Sequence, residues 1–498
     1  MMKKKLLLSV LALVMSLFVG IQASAAADDI RLGGNDRFDV AINVSKNGWS
    51  SASTVIIANW DAYGDALAAT PLAYKYNAPI LLTKPIALDS RVKTEIQRLN
   101  AKSVIIVGGT ISVSDNIVRE LRNLGISVRR ISGSNRVEVA NNIAKEIGPT
   151  SKVVIADGFN FPDALSIAPY AARNGYPILL TNPKSLLDSS TQALIDQWPI
   201  SQTIISGGPL SVSETVYNNV PNPRRFGGNS RFEVSANIAN AYFSASTAAF
   251  VTKGSIFADA LTGSVLAAKK NAPILLTEPD RLPVAITNSI VNNGLSRFTV
   301  LGGPISVSDS VFVKISNNIV GETIVLDPGH GGTDPGAAGY SLVEKEIVLD
   351  IAKRVNSKLS NSLSKVVMTR QTDTYLSLDQ RVKTAEKSGA DAFVSFHVNS
   401  YTSGSANGTE TWYDSTYASA SSKKLAEEIQ TELVKAMGTR DRGVKEGGFY
   451  VIRNSKMPSV LVEIAFISNS TDASKLASNT YRQKAADAIY KGIMNYYN

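Results

Sequence analysis

Among its 498 residues the chain has no cysteine and only two histidines. The lack of cysteine excludes disulfides, thiolate nucleophiles and thiolate zinc sites, so the chain must be held together by its core, which at this length is easily large enough. His330 follows the run TIVLDPG, and His397 follows the run DAFVSF. An imidazole at the exit of a buried strand faces the cleft beyond the carboxyl ends of a sheet, where metal ligands and proton carriers usually lie. The two histidines are therefore the first candidates for chemistry.

Two glutamates are placed as unusually as the histidines. Glu344 opens the helical pattern EKEIVLDIAKRVNSKL, and Glu463 interrupts the apolar run SVLVEIAF, where an unpaired carboxylate is costly to bury. Two histidines and a glutamate are a ligand set for zinc (Zn2+), and a second glutamate beside them is the usual base. Singly, each histidine could belong to the core and each glutamate could form a structural salt bridge. Together, the four residues favour a zinc hydrolase.

The chain has no third histidine that could stabilise an oxyanion. The zinc ion, backbone N–H groups, or Asn399 together with an arginine would have to take that role. Three protein ligands would leave the fourth tetrahedral position of the zinc for water.

The N-terminus has the pattern of a secretory signal peptide. Three lysines at positions 3–5 precede an apolar run that extends from Leu6 to about Ile21, and the small residues ASA follow it. A membrane anchor is the alternative, but the run is at the short end for spanning a bilayer. We predict a signal peptide over residues 1–25, a mature chain that begins at Ala26, and a secreted protein without membrane attachment after cleavage.

Charge is unevenly distributed along the chain, whose formal net charge is +9. The three lysines of the leader account for a third of this charge, most of the remainder lies in residues 26–321, and residues 322–498 are almost neutral. A secreted and mildly basic region suits an anionic polymer, such as the teichoic acids of a Gram-positive wall. A solvated surface without a target is the alternative. No nucleic-acid partner is expected.

Residues 30 to 320 contain an internal repeat. An arginine motif, a DAL-like segment, a PILLT-like strand and a GG turn each occur three times, with a period of about 95 residues that is too long for a solenoid unit. The recurring charged residues are Arg37, Arg136, Arg231, Asp65, Asp163 and Asp259. We therefore expect three copies of one domain, each with its own core.

Each copy alternates short β-branched runs with helical segments, which predicts βαβ units around a parallel sheet. The glycine pair of each copy ends a strand before a Ser-x-Ser helix start. Because no lysine follows, a tight turn explains this pair better than a phosphate-binding loop does. The motif arginine has two interpretations that stay open: it contacts the phosphates of a wall polymer, or it pairs with a carboxylate across a repeat boundary.

These shared motifs resemble the cell-wall-binding repeat that occurs in threes on surface proteins of Gram-positive bacteria. The resemblance implies three domains, at residues 30–128, 129–223 and 224–321, packed as a pseudo-threefold trimer within one chain. It also implies noncovalent attachment to the wall through anionic polymers. The residues that contact the polymer are not specified by the motifs.

The last part of the chain, residues 322–498, reads as a separate α/β domain with a mixed sheet. No Gly-, Ser- or Pro-rich linker precedes it, which predicts a fixed attachment. The segment FYVIRN is predicted as one of its strands. His330, His397 and Glu463 follow or end strands and Glu344 begins a helix, so all four can point into one crevice.

The motifs of this domain resemble the zinc-dependent N-acetylmuramoyl-L-alanine amidases. They are DPGHGG, LVEKEIVLDIAKRV, TR followed by LDQRV, ADAFVSFHVNS, GTETWY, DRGVK and MPSVLVEIAFISN, in this order. Carried onto the matching positions, the family roles make His330, Glu344 and His397 the zinc ligands and Glu463 the catalytic glutamate. Together with the three repeats, the order of domains resembles that of the autolysins of bacilli.

The function implied by this resemblance is a wall-anchored peptidoglycan hydrolase. It would cut the amide between N-acetylmuramic acid and the L-alanine of the stem peptide, outside the cell and in the wall of a Gram-positive bacterium. A zinc peptidase that acts on the stem peptide would use the same chemistry and stays an alternative. A non-catalytic wall adhesin is disfavoured by the intact set of four residues, and a glycosidase would need two carboxylates and no metal.

Overall fold

The computed structural model describes residues 29–182, 186–317 and 319–497. The predicted signal peptide at residues 1–25 lies outside these ranges. Within them, no helix has both the length and the apolar character needed to cross a membrane.

The repeats are built from parallel strands that alternate with helices. The strands are β1 (Ile30–Leu32), β2 (Thr54–Asn59), β3 (Ile80–Thr83), β4 (Ser103–Val107), β5 (Ser127–Ile131), β6 (Lys152–Asp157), β7 (Ile178–Thr181), β8 (Gln202–Ser206), β9 (Pro223–Phe226), β10 (Ala248–Lys253), β11 (Ile274–Thr277) and β12 (Arg297–Leu301). The helices are α1 (Arg37–Gly48), α2 (Ala69–Lys75), α3 (Ser90–Arg98), α4 (Asp115–Asn123), α5 (Arg136–Ile147), α6 (Pro162–Arg173), α7 (Ser189–Gln197), α8 (Glu214–Asn218), α9 (Arg231–Tyr242), α10 (Phe257–Lys269), α11 (Val284–Asn293) and α12 (Asp309–Ile315).

Each repeat contains one four-stranded parallel sheet. The strand orders are β3-β2-β4-β5, β7-β6-β8-β9 and β11-β10-β12-β1. The second strand, β2, is buried along its whole length, as expected for a parallel sheet that is covered by helices on both faces. The predicted architecture of βαβ units around a parallel sheet is confirmed.

The first strand of each sequence copy joins the sheet of another copy. β5 and β9 begin the second and third sequence copies, yet they pair with β4 and β8 of the preceding copies. β1 begins the first copy and pairs with β12 of the third, from Ile30 opposite Thr299 to Leu32 opposite Leu301. The copies therefore interlock in a closed ring, and the predicted boundaries after residues 128 and 223 fall inside β5 and β9.

Three inner helices, α2, α6 and α10, meet at the centre of this ring. Aromatic residues that precede or begin these helices, Tyr63, Phe161 and Phe257, form a triangle with ring centroids 5.5, 5.6 and 6.2 Å apart. One hydrophobic core runs through all three copies, and separate clusters lie under the outer helices of the second and third copies. We expected each copy to have its own core. The inner core is instead shared by all three copies, and the separate clusters lie only on the outer side.

The arginine motif is the start of a helix. The residue before each arginine is the N-cap of α1, α5 or α9, and the side chains of Asp36, Asn135 and Ser230 accept bonds from backbone N–H groups of the first turn. Capping by Asp, Asn and Ser explains the polar residues of the motif without a ligand.

The GG motif is a tight turn against the DAL motif. Gly207, the first glycine of the second pair, has φ of 117°, and a Cβ there would lie 2.5 Å from Oδ2 of Asp163. The other two copies repeat this approach with their own aspartates. The space in front of the turn is therefore filled by a carboxylate, which agrees with the turn interpretation.

The C-terminal domain surrounds one mixed sheet in the order β16-β13-β17-β20-β18-β19. Its strands are β13 (Thr323–Pro328), β14 (Ala338–Gly339), β15 (Leu342–Val343), β16 (Lys365–Met368), β17 (Ala392–Asn399), β18 (Thr409–Tyr413), β19 (Asp441–Glu446) and β20 (Ser459–Phe466). Its helices are α13 (Glu344–Leu359), α14 (Leu378–Ser388), α15 (Ser419–Met437), α16 (Tyr450–Arg453), α17 (Ser470–Ala477) and α18 (Asn479–Tyr497). The first four strands in this order, β16, β13, β17 and β20, are parallel to one another. β18 runs antiparallel to β20. The main core packs α13, α15 and α18 on one face, and α14 and α16 cover part of the other.

The segment FYVIRN is not a strand. It folds as the short helix α16, in which Val451 and Ile452 are buried against the sheet. The edge strand next to β18 is instead β19, which has the polar sequence DRGVKE. A short apolar run fits a strand and a buried helical turn equally well, so the strand predicted here from periodicity alone was wrong.

Direct contacts join the repeats to the C-terminal domain. Leu363 of the C-terminal domain is buried in the core cluster of the third repeat, and Ile319 is buried in the core of the C-terminal domain. The Gly321 N–H donates to the carbonyl of Leu363 at 3.1 Å. These exchanged contacts fit the fixed attachment predicted from the absence of a linker.

Candidate functional site

His330 lies in the loop that follows β13, with a left-handed φ of 57° that is unusual for a residue other than glycine. Its Nδ1 atom lies 2.8 Å from Oδ2 of Asp334. Its Nε2 atom lies 3.2 Å from Oε1 of Glu344. A carboxylate on one ring nitrogen fixes the orientation of the imidazole and leaves the other nitrogen available as a ligand. Asp334 therefore turns Nε2 of His330 toward Glu344.

Glu344 is the first residue of α13 and is only 3% exposed. Its Oε1 atom also lies 3.0 Å from Nδ1 of His397 and accepts the backbone N–H of Val398 at 2.9 Å. Burial alone would raise the pKa of Glu344, but hydrogen bonds from both histidines outweigh it and hold that pKa well below its usual range. The carboxylate is therefore ionised and directed at both imidazoles.

His397 lies on β17, beside the loop that carries His330. A Cβ at Gly329 would lie 2.3 Å from the His397 ring, so only glycine leaves room for the imidazole there. One donor atom from each of His330, Glu344 and His397 lies within 4.8 Å of the other two. Two imidazole nitrogens and a carboxylate oxygen at this spacing are a donor set that suits zinc.

Glu463 lies on β20, opposite His397 in the parallel register between β17 and β20. Its Oε2 atom is buried and has no hydrogen-bond partner among the described residues. Burial raises the pKa of Glu463 to about 7. A carboxyl group with this pKa, beside a cluster of possible metal ligands, is suited to take up and release a proton near neutral pH.

Comparison with known proteins decides the family. Residues 324–495 match the family described as N-acetylmuramoyl-L-alanine amidase, and residues 31–118, 130–217 and 225–312 match cell wall binding domain 2. The chain is 47% identical over 467 residues to the N-acetylmuramoyl-L-alanine amidase LytC of Bacillus subtilis, with 94% of each chain covered. The chain belongs to the N-acetylmuramoyl-L-alanine amidase family.

Two further similarities extend over the repeats. The solved structure of Cwp6 from Clostridium difficile matches with a TM-score of 0.55 and 30% identity, over 94% of this chain and 80% of that one. The amidase enhancer of Bacillus subtilis is 35% identical over 302 residues, which are 60% of this chain and 41% of the relative. The predicted family, fold class and amidase function, with cell-wall-binding repeats, are confirmed.

Two buried arginines shape the loop that carries His330 in this amidase. Arg381 donates to Asp327, to the carbonyl of Pro328 and to the carbonyl of His330, at 2.7 to 2.8 Å. Arg370 donates to the carbonyls of Pro328 and Gly329 at 3.0 and 2.8 Å. These bonds hold the chain around His330 in its strained conformation. Both arginines are therefore engaged with the loop that carries His330.

An open cleft of about 340 Å³ leads to the two histidines of the amidase. Its rim includes the partly exposed side chains of Tyr375, Leu378, Phe449 and Tyr450. The rim is largely apolar, and it leaves one face of the histidine pair accessible to a substrate.

Asn399, one of the possible oxyanion donors named from the sequence, contacts an acidic residue. Its Nδ2 atom donates to Oε1 of Glu410 at 2.9 Å. Glu410 was missed by sequence reasoning, although it lies opposite Glu463 in the register between β18 and β20. The motif GTETWY was its one signal, because it places a carboxylate in an otherwise uncharged strand.

The motif arginines of the repeats turn toward neighbouring copies. Arg231 of the third copy donates to the carbonyl of Gly254 at 2.6 Å and lies 5.9 Å from the ring centroid of Phe161 in the second copy. Arg37 and Arg136 make equivalent contacts with Phe257 and Tyr63. Burial raises the pKa of Asp163, and the charge of Arg231 opposes this rise. The contacts across repeat boundaries are thus with aromatic rings, and the ion pair of Arg37 is with Asp61 of its own copy. Neither open interpretation is decided by them.

Proposed function

We propose that this amidase binds zinc through His330, Glu344 and His397 and hydrolyses the amide between N-acetylmuramic acid and the L-alanine of the stem peptide. The observation that carries the proposal is the convergence of one nitrogen of each histidine on the same carboxylate oxygen, at 3.2 and 3.0 Å. When bound, zinc supplies a Lewis acid that lowers the pKa of a coordinated water from about 15.7 to about 7.

Glu463 acts as the general base and acid. Its buried carboxyl group has a pKa of about 7, so near neutral pH it takes the proton of the attacking water and afterwards returns it to the leaving amine. Its unpartnered Oε2 atom is free to accept this proton. Asp334 supports the reaction indirectly, because it holds the ring of His330.

The catalytic domain is proposed to span residues 322–498, after cell-wall-binding domains at 30–128, 129–223 and 224–321. The repeats retain the enzyme on the wall through anionic polymers such as teichoic acid. The excess of basic residues between 26 and 321 supports this, while the motif arginines are engaged within the ring. A predicted signal peptide at residues 1–25 would bring the enzyme to the wall of a Gram-positive bacterium.

Mass spectrometry of purified peptidoglycan after digestion tests the proposed bond. Cleavage by the full chain should release peptides with a free amino-terminal L-alanine and leave intact lactyl groups on the glycan. New ends within the stem peptide would instead identify a zinc peptidase, and new reducing sugar ends would identify a glycosidase.

Wall retention tests the proposed role of the repeats. Binding of the full chain to isolated walls should fall with added salt, since charges beyond about 8 Å are strongly screened at 0.15 M. Removal of teichoic acid should weaken binding in the same way. Equal binding to stripped and intact walls would assign the repeats to the glycan or to a protein.

A further inference from the structure

Three side chains form a row across adjacent strands of the amidase sheet. His397 on β17 is opposite Glu463 on β20, and Glu463 is opposite Glu410 on β18. Directly opposed residues point to the same face of a sheet, and neighbouring strands lie about 4.8 Å apart. The row therefore leads from the candidate metal ligands, past the proposed base, to a second carboxylate.

Glu410 holds two cations from the edge strand β19. Oε2 of Glu410 lies 2.5 Å from Nε of Arg442 and 2.6 Å from Nζ of Lys445. The Glu410 side chain is 4% exposed, whereas those of Arg442 and Lys445 are 28% and 32% exposed. The carboxylate of Glu410 is therefore buried, and the two cations beside it are partly exposed to solvent.

This cluster has more positive charge than Glu410 needs. One cation is enough to compensate a buried carboxylate, yet two share a single oxygen, and Asn399 already donates to the other oxygen. The guanidinium of Arg442 lies 4.9 Å from the ring centroid of Phe466, which limits its rotation. Within the described parts of the chain, the two terminal nitrogens of Arg442 have no hydrogen-bond partner. A planar donor pair that is held in place and left unbonded suits a carboxylate.

We propose that Arg442 and Lys445 form a subsite for a free carboxylate of the stem peptide, one residue beyond the L-alanine of the scissile bond. The subsite rests on the proposed amidase reaction. Because Glu463 returns the proton to the leaving amine, the leaving peptide lies on its side of the metal ligands. The same row continues from Glu463 to the two cations.

The spacing suits a carboxylate at this position. The guanidinium of Arg442 contacts Glu410, whose strand lies about 4.8 Å from that of Glu463. Consecutive α-carbons of a peptide are about 3.8 Å apart, so the residue after L-alanine reaches the guanidinium when the scissile amide lies beside Glu463. Glu410 is then a positioning residue that holds the cations in place.

A change in the substrate tests the subsite without altering the protein. The full chain is given two muramyl peptides in which L-alanine is followed by D-glutamate, and the γ-carboxyl of this D-glutamate is linked to the next residue. One peptide has a free α-carboxylate on the D-glutamate, and the other has a carboxamide in its place. We expect the KM for the free acid to be lower by about tenfold, with a similar kcat, as a charged hydrogen-bonded pair implies.

Variants assign this preference to Arg442. Arg442→Ala should raise the KM for the acid by about tenfold and leave the KM for the amide unchanged, and Arg442→Lys should keep part of the preference. Lys456→Ala is the matched control, because Lys456 is an exposed cation of the same domain whose ion pair with Glu386 spans 3.5 Å. The control should behave as wild type. Calorimetry with the dipeptide L-Ala-γ-D-Glu should show the same loss of binding in Arg442→Ala.

Two results would overturn the subsite alone, and a third would overturn it together with the proposed function. If the wild-type chain cleaves the acid and the amide with equal KM, the subsite is wrong while the proposed amidase function stands. The same holds if Arg442→Ala lowers kcat equally for both compounds, because the cluster is then only structural. If the wild-type chain releases no amino-terminal L-alanine from either compound, the proposed function itself fails and the subsite fails with it.

Discussion

In the repeats, residues that recur three times pack against one another, whereas in the amidase domain residues that occur once converge on a single point. Arg231 lies by the ring of Phe161 in the adjacent copy, and the GG turn of each copy packs on the aspartate of its own DAL motif. His330 and His397, by contrast, have no counterpart elsewhere in the chain. In this protein the repeated motif builds the scaffold, and the singular residues form the proposed catalytic site.

The two regions also differ in how they hold their polar residues. The repeats place arginines at the starts of helices, where an N-cap residue and a carbonyl hold them. The amidase domain surrounds His330 with three charged residues, Asp334, Arg370 and Arg381, of which both arginines are buried. The ring of repeats tolerates small shifts of its elements, but the distances between a metal and its ligands must stay within a few tenths of an ångström of their ideal values. The more elaborate support of His330 follows from this difference.

Glu463→Gln should produce the largest change among the variants that keep the metal. The amide cannot take up a proton from water, so kcat should fall by a factor of about 10² to 10⁴. The zinc content should stay that of wild type, because Glu463 is not among the three proposed ligands. Near-normal hydrolysis by a zinc-loaded Glu463→Gln chain would show that this residue is structural.

Asp334→Asn should have the next largest effect. The amide keeps a similar shape but loses the charge that orients the His330 ring, so zinc affinity should fall by about 10- to 100-fold. A zinc titration against a competing chelator measures this change. Asp379→Asn is the control, since Asp379 is an exposed acid that pairs with Lys383 in the same domain. Equal zinc affinity in both variants would remove Asp334 from the site.

Acid should inhibit the enzyme through Glu463. A carboxyl group is protonated below its pKa and then cannot accept a proton, so kcat/KM should rise as pH increases toward about 7 and should fall about tenfold for each pH unit below the apparent pKa. The charge of bound zinc should lower the apparent pKa somewhat from about 7. Activity that is independent of pH between 4 and 7 would contradict this role.

Arg231→Ala should have the smallest effect on catalysis and should act on the repeats alone. Its loss leaves Asp163 buried without its nearby cation and should lower the free energy of unfolding of the ring by about 1 to 3 kcal/mol. Hydrolysis of soluble muramyl peptides should be unchanged. Lys102→Ala, which removes an exposed cation from the first copy, should leave the melting temperature as it is.

The opposite pattern in the Arg231 variant would reverse the comparison between the two regions. If Arg231→Ala melts like wild type but binds walls poorly, the arginine contacts the polymer and the repeated motif is itself the binding site. Thermal melting and wall sedimentation of the same preparation distinguish the two results.

The sequence was most informative where a residue type was scarce. Two histidines in 498 residues, each at the end of a buried strand, indicated a site, and the structure brings both within hydrogen-bond distance of Glu344. Asp334 and Glu410 could not be found in this way, because aspartate and glutamate are common and their roles depend on contacts that only the fold creates. Periodicity also failed for FYVIRN, where four apolar residues followed by two polar ones fit both a strand and a short helix.

The closed ring of repeats was equally hidden from the sequence. The pairing of β1 with β12 joins residues near opposite ends of the repeat region, and the pattern IRL does not specify its partner. A repeat found by its period also has no defined first residue, so the offset of one strand between sequence copies and sheets is visible only in the register.

The zinc content of the full chain tests the central claim most directly. Elemental analysis of wild type and of His397→Ala should give one zinc per chain in the first and almost none in the second, with wall binding equal in both. That result would separate the singular residues that bind metal from the repeated residues that build the anchor. Full zinc occupancy in His397→Ala would contradict the proposed site.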